Sequence, residues 1–203
     1  MNYLQGHPRI KLLVCIVAIF IIAQLINSLT AGGLIQFGLI PRTEWGLLGI
    51  FFAPFIHGSW QHLISNLPPF IILSALLLHR TIKAYVLASL FIIVAGGLAV
   101  WLFGRNAVHI GASGWVFGLW GLLIAQGFFR RNWVDIAIAL LVLFYFGTMA
   151  SGLLPTHLYI STESHIAGAI AGVIYAWLSH HYHKKTAITH LKIVSNTVMT
   201  HFL

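Results

Sequence analysis

The sequence contains very little charge for its length. Of 203 residues, three are acidic and 7% are charged, whereas soluble domains carry about a quarter charged residues. A single cysteine, Cys15, excludes an intramolecular disulfide bond. A cleaved signal peptide does not explain the hydrophobic fraction of 59%, because apolar runs recur toward the C-terminus. The composition therefore excludes a soluble globular domain and predicts a protein that crosses a membrane several times.

Apolar segments of suitable length recur along the chain. A membrane-spanning helix needs about 20 mostly apolar residues. The sequence predicts an all-α polytopic fold with six transmembrane helices, forming one domain at 1–183 with a short cytoplasmic tail at 184–203. The six predicted spans are Leu12 to Leu29, Phe55 to Leu78, Ala84 to Phe103, Ile110 to Phe129, Trp133 to Leu153 and His165 to Tyr182.

Basic residues are distributed unevenly about these segments. Six spans in alternation put nine lysines and arginines on one side and two, Arg42 and Arg105, on the other. Cytoplasmic loops carry an excess of Lys and Arg, so both termini are predicted to lie in the cytoplasm. The formal charge of +8 lies at the ends of apolar segments and not in one basic block. We therefore predict no nucleic-acid partner.

The segment between the first two spans, Thr30 to Pro54, mixes glycine and proline with large apolar residues. Glycine and proline interrupt regular structure, while aromatics such as Phe37 and Trp45 favour the membrane interface. This composition predicts a structured, non-cytoplasmic first loop that is partly embedded in the bilayer. The alternative is an ordinary connector.

A basic stretch rich in histidine follows the sixth span. Such a stretch is typical of contact with anionic lipid headgroups. Without a second group of ligands it is weak support for metal binding, so we predict neither a metal site nor a cofactor. Its residues are His180, His181, His183, Lys184 and Lys185.

Polar side chains inside a span are costly and are candidates for function. His62 and Asn66 lie four residues apart in the second span, so a helix places them on one face. Both can donate a hydrogen bond to an anionic oxygen. His57, five residues before His62, would orient this pair or the loop. The alternative is that both residues simply bond to neighbouring helices.

One hydroxyl group, that of Ser113, stands among small residues near the start of the fourth span. Phe117 lies four residues later and on the same helix face. Alone, such a serine often only bonds its own backbone. Its surroundings make it a candidate nucleophile, because another backbone can closely approach a helix rich in glycine. The glycines here are Gly111, Gly114, Gly118 and Gly121.

The sixth span presents a matching stripe of small residues. Docking of this stripe on the glycines of the fourth span would set His165 beside Ser113, with Phe117 stacked on the imidazole. Six alternating spans also place Ser113 and His165 at similar depth. The alternative for His165 is a buried capping or interface histidine. The stripe consists of His165, Gly168, Gly172 and Ala176.

Neither of the acidic residues near these spans is well placed to complete a catalytic triad. Asp135 falls near the cytoplasmic start of the fifth span. Glu163 lies two residues before His165 and does not share its helix face. A serine beside a base has the arrangement of an activated nucleophile. We therefore predict a Ser113–His165 dyad without a carboxylate.

The three motifs together are similar to those of one known family, the rhomboid intramembrane serine proteases. Gly111-Ala112-Ser113-Gly114 resembles the family's Gly-x-Ser-Gly motif. The segment from His62 to Asn66 resembles its His-x-x-x-Asn element, and His165-x-x-Gly168-x-x-x-Gly172 resembles its sixth-span motif. The resemblance covers about Leu12 to Tyr182. One departure is in the first loop, because many relatives carry an adjacent Trp-Arg pair, whereas Arg42 and Trp45 are separated here.

The resemblance implies a role for each motif residue. Ser113 is implied to be the nucleophile, and His165 the general base that then protonates the leaving amine. His62, Asn66 and the backbone amide of Ser113 are implied to hold the oxyanion. Phe117 occupies the position of an aromatic residue that stacks on the catalytic histidine. The implied supporting residues are Gly111, Gly114, Gly168 and Gly172.

The implied activity is cleavage of single-span membrane proteins near the outer interface, at small residues in helix-weakening sequence. The expected partners are such substrates and membrane lipids, and the expected location is a bacterial cytoplasmic membrane. Two other functions remain open. A non-proteolytic rhomboid-like protein would bind membrane clients, although such relatives usually lack the serine or histidine. A small proton-coupled carrier would use the membrane histidines as a relay, but internal repeats of broken helices are not evident.

Overall fold

The computed structural model describes the backbone of residues 7–155 and 161–201 and the side chains of residues 7–155 and 161–182. Within these ranges the chain is helical and forms no β-strand, which confirms the all-α prediction. Short 3-10 turns cover Ile35–Phe37, Ala53–Phe55 and Gly147–Leu153. The helices are α1 (Pro8–Leu29), α2 (Glu44–Phe52), α3 (Trp60–Leu78), α4 (Ile82–Phe103), α5 (Ser113–Arg130), α6 (Trp133–Phe146) and α7 (Thr162–His201).

Four helical segments are long and apolar enough to cross a membrane: α1, α3, α4 and Trp133–Leu153, which contains α6. Over the described residues, α5 and α7 are not counted among the helices that are long and apolar enough to cross a membrane. In α5, 11 of 18 residues are buried, more than in any other described helix. Because protein surrounds α5, its sequence does not need to be apolar throughout. The structure is thus an integral membrane helix bundle with four clear candidate spans.

Helix α7 lies against α5 with almost no gap between the two backbones. A β-carbon built on Gly168 would lie 2.0 Å from the carbonyl oxygen of Gly114. A β-carbon on Gly172 would lie 2.0 Å from the carbonyl oxygen of Gly118. Only glycine permits so close an approach. The predicted docking of the two glycine stripes is confirmed.

The core of the bundle contains an aromatic cluster around Trp115 of α5. The ring of Phe70 in α3 packs edge-on against Trp115 at 4.8 Å between centroids. Phe20 of α1 and Tyr85 of α4 each lie 6.3 Å away. Aromatic pairs of this kind contribute about 0.5–1.5 kcal/mol beyond their burial. The cluster therefore ties three helices to α5 near its start.

The first loop contains the short helix α2, which begins at a capping residue. The hydroxyl oxygen of Thr43 accepts a hydrogen bond from the Gly46 amide at 3.0 Å, which is a typical N-cap. Large apolar side chains of α2 are exposed, among them Trp45, Leu48 and Phe51. An exposed apolar face is typical of a helix that lies in the membrane interface. This composition favours a first loop embedded in the bilayer over an ordinary connector.

Arg42 anchors the first loop to the end of α4. Its guanidinium donates to the carbonyl oxygens of Gly104 at 2.8 Å and Leu102 at 3.3 Å. In return, Trp101 of α4 donates its indole N–H to the carbonyl oxygen of Thr43 at 2.8 Å. The last carbonyls of a helix have no intrahelical donor, so Arg42 satisfies groups that would otherwise be unpaired. The first loop is thus held to α4 by Arg42 together with Trp101 of α4, and not by Arg42 together with a tryptophan of the loop.

The opposite end of the bundle contains a partly buried ion pair. Arg80, in the turn between α3 and α4, pairs with Asp135 of α6, whose side chain is 2% exposed. Asn132 caps α6 by accepting a hydrogen bond from the Asp135 amide at 3.0 Å. Asp135 is therefore far from the start of α5, as the sequence indicated. Beyond residue 183 the backbone of α7 continues as helix to His201.

Candidate active site

Helix α5 begins inside the fold and not at its surface. A β-carbon on Gly96 of α4 would lie 3.5 Å from Gly168, which itself packs on Gly114. Gly96, Gly114 and Gly168 are therefore at one level. Helix α4 continues for seven more residues to Phe103, or about 10 Å at 1.5 Å per residue. Along the axis of α4, the level of Ser113 is thus about 10 Å from the end of α4 that lies beside α2.

The chain enters α5 through a turn that requires glycine. Gly111 has a φ of +111°, a conformation that glycine adopts easily and other residues rarely do. A β-carbon there would also lie 2.6 Å from the His62 ring. The sequence predicted a span starting at Ile110, whereas the helix starts at Ser113, because the backbone at Gly111 is not helical. Gly111 thus lets the His62 ring lie directly against the segment before Ser113.

His57 contacts the segment before Ser113 from the other side. Its side chain is completely buried, and its Nε2 atom accepts a hydrogen bond from the Ala112 amide at 3.3 Å. The His57 ring packs edge-on against His62 at 5.0 Å between centroids. Burial, and then the neighbouring His62, lower the pKa of His57 from 6.5 to about 4. His57 is therefore neutral near pH 7, as an acceptor for an amide N–H must be.

Ser113 is the first residue of α5, and its side chain is partly exposed. None of the residues that the structure describes forms a hydrogen bond with its hydroxyl group. Its backbone N–H belongs to the first turn of a helix, where amides have no intrahelical acceptor. Ser113 therefore presents a hydroxyl and an amide donor at the same point.

The ring of His165, near the start of α7, is fixed from two sides. Its Nδ1 atom lies 2.9 Å from the carbonyl oxygen of Gly152. Its face stacks on Phe117 with ring centroids 4.1 Å apart and planes 11° apart. Because a carbonyl oxygen only accepts, Nδ1 carries the proton and Nε2 keeps its lone pair. The predicted stacking is confirmed, whereas the contact with Gly152 was not predicted.

The crossing between α5 and α7 brings the residues next to Ser113 and His165 into contact, while no hydrogen bond joins the Ser113 hydroxyl to the His165 ring. Phe117, which stacks on the His165 ring, lies one turn after Ser113 on the same face of α5. A β-carbon on Gly114 would lie 3.2 Å from the carbonyl oxygen of Ser164. The residue after the serine thus touches the residue before the histidine. This crossing can place a nucleophile beside a base.

His62 and Asn66 lie on the face of α3 that approaches the start of α5. The Asn66 side chain is 7% exposed, and its Nδ2 atom donates to the His62 carbonyl oxygen at 2.8 Å. An amide nitrogen carries two hydrogens, so one donor of Asn66 is still available. His62 contacts Gly111 directly, while Asn66 lies one turn deeper. Of the two, His62 is therefore the one in contact with the segment before Ser113.

A pocket lies behind Ser113, between α2, α4 and the start of α7. It contains about 440 Å³ of space, including its open mouth. Apolar groups such as Ile50, Gly97 and Trp115 form most of its wall. Of the polar residues around the start of α5, His109 lines this pocket, whereas His57, His62, Asn66, Ser113 and His165 do not.

Neither Asp135 nor Glu163 forms a hydrogen bond or an ion pair with His165 in the part of the chain that the structure describes. Glu163 forms an ion pair with Arg105 at 3.6 Å, so it is directed toward the loop before α5. Within the described side chains, no group of three or more His, Cys, Asp or Glu residues is placed to hold a metal ion. The predicted basic stretch after the sixth span lies partly outside the described side chains, which end at residue 182.

A comparison with known protein families identifies the family of this chain. The model of the Rhomboid domain family matches residues 44–182. The chain belongs to the rhomboid family. The matched region of this rhomboid contains every residue of the three motifs, and α1 and Arg42 precede it. The resemblance inferred from the motifs is confirmed.

Several proteins are similar to this rhomboid over most of its length. An uncharacterized protein of Mycobacterium tuberculosis is 36% identical over 171 residues, covering 80% of this chain and 71% of that protein. An uncharacterized protein of Mycobacterium leprae is 34% identical over 179 residues, covering 83% and 70%. The chloroplastic rhomboid-like protein 11 of Arabidopsis thaliana is 34% identical over 142 residues, covering 62% and 50%.

Proposed function

We propose that this rhomboid is an intramembrane serine endopeptidase with Ser113 as nucleophile and His165 as general base. The observation that carries the proposal is the fixed orientation of the His165 ring beside the start of α5. The Gly152 carbonyl fixes its tautomer, and Phe117 fixes its plane. A base held in one tautomer next to a serine is what nucleophilic catalysis requires.

The proposed reaction proceeds in two stages. The Ser113 oxygen attacks the scissile carbonyl carbon while Nε2 of His165 takes the hydroxyl proton. The C–N bond then breaks, and the imidazolium gives that proton to the leaving amine. Water, activated by the same Nε2 atom, hydrolyses the acyl-enzyme and regenerates Ser113. The Gly152 carbonyl helps to stabilise the imidazolium, a role that a carboxylate has in a triad.

The oxyanion is held by donors that surround the start of α5. These donors are the Ser113 amide, the His62 ring and the free hydrogen of the Asn66 amide group. Loss of one oxyanion donor typically costs about 10²- to 10³-fold in turnover. His62→Ala or Asn66→Ala should therefore impair cleavage less than Ser113→Ala does. The glycines at 111, 114, 168 and 172 support the site by allowing the close contacts around it.

The depth of Ser113 determines the substrate class. A recessed serine reaches peptide bonds at the level of the bilayer, which in a single-span protein belong to a helix. Helical backbone is protected by its own hydrogen bonds, so the substrate must unwind locally. Small residues in helix-weakening sequence meet this requirement best. The proposed substrates are single-span membrane proteins, with membrane lipids as the other partners.

Six membrane crossings are compatible with the structure if α5 and α7 also cross the membrane, with the other four spans separating them from lipid. The distribution of Lys and Arg then puts both termini in the cytoplasm, and the site opens toward the opposite side. The Mycobacterium relatives support a bacterial cytoplasmic membrane as the location. Over residues 1–183 this gives one six-span domain.

The experiment is cleavage of a single-span reporter protein reconstituted with the rhomboid in lipid vesicles. The parent should release two fragments, whereas Ser113→Ala and His165→Ala should release none. Ser179→Ala is a matched control, because its hydroxyl only bonds Ala176 in its own helix. If folded parent protein binds the reporter without cleaving it, the protease proposal is wrong and client binding replaces it.

A further inference from the structure

The buried side chain of His109 joins two segments that flank the proposed dyad. His109 lies four residues before Ser113 and is 3% exposed. Its Nδ1 atom lies 2.6 Å from the hydroxyl oxygen of Ser161. That oxygen lies 2.6 Å from the hydroxyl oxygen of Ser164, the residue before His165. A continuous chain of hydrogen bonds thus runs from the loop before α5 to the first turn of α7.

The direction of these hydrogen bonds follows from their far end. Nε2 of His109 lies 3.1 Å from the carbonyl oxygen of Arg105, which can only accept. For a neutral ring, Nε2 therefore donates, and Nδ1 accepts from the Ser161 hydroxyl. The Ser161 oxygen in turn accepts from the Ser164 hydroxyl. We call this chain of His109, Ser161 and Ser164 the His109 relay. Each of its three side chains has a hydrogen-bond partner that fixes its orientation.

The relay ends against the start of α5. A β-carbon on Gly114 would lie 3.4 Å from the β-carbon of Ser164, so Ser164 is in contact with the residue after Ser113. Ser164 also precedes His165 in the chain. A shift of Ser164 would therefore change the separation of the two proposed catalytic side chains.

We propose that His109 is a positioning residue that acts through Ser161 and Ser164 to hold the first turn of α7 against the start of α5. This inference rests on the proposed function, because it assigns His109 to the alignment of His165 with Ser113. Displacement of a reacting group by about 1 Å can cost about 10²-fold in rate. A broken relay should thus lower kcat about 10- to 100-fold and leave KM nearly unchanged.

The loop itself does not depend on the His109 side chain. The backbone of His109 pairs with Leu39, with N–O distances of 2.8 and 3.0 Å in the two directions. The ion pair between Arg105 and Glu163 gives the same loop a separate link to α7. Replacing the His109 ring removes the relay and leaves both of these contacts. Variants at His109 are therefore expected to fold.

Two substitutions of His109 distinguish the roles of its two ring nitrogen atoms. In His109→Asn the side-chain oxygen can occupy the place of Nδ1 and accept from Ser161. In His109→Gln the side-chain nitrogen can occupy the place of Nε2 and donate to Arg105, but the bond to Ser161 is lost. The proposal predicts nearly parental kcat for His109→Asn and the 10- to 100-fold loss for His109→Gln. A purely structural role predicts equal kcat per folded molecule in both variants.

A double-mutant cycle tests whether His109 acts through Ser161. Residues that act as one network show strongly non-additive effects. The variant His109→Gln/Ser161→Ala should therefore be no slower than either single variant. Ser151→Ala is the matched control, because the Ser151 hydroxyl bonds only the Thr148 carbonyl in its own turn. Multiplied losses in the double variant would overturn the proposal, as would a parental kcat for Ser161→Ala.

Hydrogen exchange of the amides at 162–166 gives a readout that does not need activity. Faster exchange is expected in His109→Gln and Ser161→Ala, and parental exchange in His109→Asn and Ser151→Ala. An inactive parent with this exchange pattern would refute the proposed protease and keep the relay as a link between α5 and α7. An active parent with unchanged exchange and kcat in His109→Gln would refute the relay and keep the protease.

Discussion

The His165 ring donates its Nδ1 proton to the backbone carbonyl oxygen of Gly152, 2.9 Å away. A backbone carbonyl carries no full charge, so it fixes the imidazole tautomer without adding a buried ion to the bundle. Charged groups inside a membrane protein are costly unless they are paired. A dyad with this partner is therefore compatible with a site recessed below the end of α4.

The glycine at position 168 should be essential for packing. In Gly168→Ala the new methyl group would meet the Gly114 carbonyl oxygen at 2.0 Å, so α7 must move away from α5. Overpacking of this kind typically costs about 1–3 kcal/mol. We expect a lower midpoint of thermal unfolding in mild detergent and loss of cleavage. Gly147→Ala is the control, since nothing lies within 4 Å of its β-carbon position, and an equal loss there would contradict the account.

Phe117 should influence turnover more than substrate binding. In Phe117→Leu the stacked face 4.1 Å from the His165 ring is lost. A stacked pair contributes about 0.5–1.5 kcal/mol, so kcat should fall about 2- to 10-fold with little change in KM. The exposed Phe128 on the same helix offers the control Phe128→Leu. Equal effects at the two positions would show that the stack has no role in catalysis.

Arg42 should hold the first loop in place through the geometry of its guanidinium. Nη1 donates to the carbonyl oxygens of Leu102 and Gly104, and Nη2 donates to the side-chain oxygen of Asn106. An ammonium group cannot reproduce that planar fork, so Arg42→Lys should lose one of its two arms. The expected result is faster limited proteolysis within residues 30–54, with a loss of about 1–3 kcal/mol in stability. Arg131→Lys is matched, because Arg131 also has a positive φ, 54° against 59° at Arg42. Unchanged proteolysis in Arg42→Lys would refute the anchor.

His57 should make the fold sensitive to acid. Burial lowers its pKa from 6.5 to about 4, so between these values the unfolded chain binds a proton that the folded protein excludes. The stabilisation by neutral His57 is present above pH 6.5 and is lost as the pH falls toward 4, up to about 3 kcal/mol. Only His62 is a titratable neighbour in the described contacts of His57.

The measurement is the unfolding midpoint at pH 7 and pH 4.5 for the parent and for His57→Gln. Glutamine can still accept from the Ala112 amide but does not titrate. The drop in midpoint between the two pH values should be smaller in His57→Gln than in the parent. Identical drops would mean that His57 does not contribute to the acid response.

The parts of the site that follow helix periodicity could be predicted from the sequence. Gly168 and Gly172 are four residues apart, and so are Gly114 and Gly118, so their docking follows from one helix face meeting another. The stack of Phe117 on His165 follows from the same spacing once the two helices meet. These contacts lie between regular helices, in which the spacing of two residues along the sequence determines whether their side chains point the same way.

Contacts made by backbone groups and irregular segments could not be predicted in this way. The Gly152 carbonyl lies in a 3-10 turn, and any residue there would present the same oxygen. Ser161 lies just before α7, where a serine is ordinary in composition. The count of spans is also ambiguous in sequence, because α5 is enclosed by protein and tolerates glycine and serine that a lipid-facing helix would disfavour.

The most direct test of the central claim is covalent labelling of the purified protein by a fluorophosphonate probe in mild detergent. The adduct is located by mass spectrometry, with Ser113→Ala and His165→Ala measured in parallel. The account predicts one adduct on Ser113 in the parent and none in either variant. An adduct on another serine, an adduct that persists in His165→Ala, or an unlabelled parent that is folded in several detergents would contradict it.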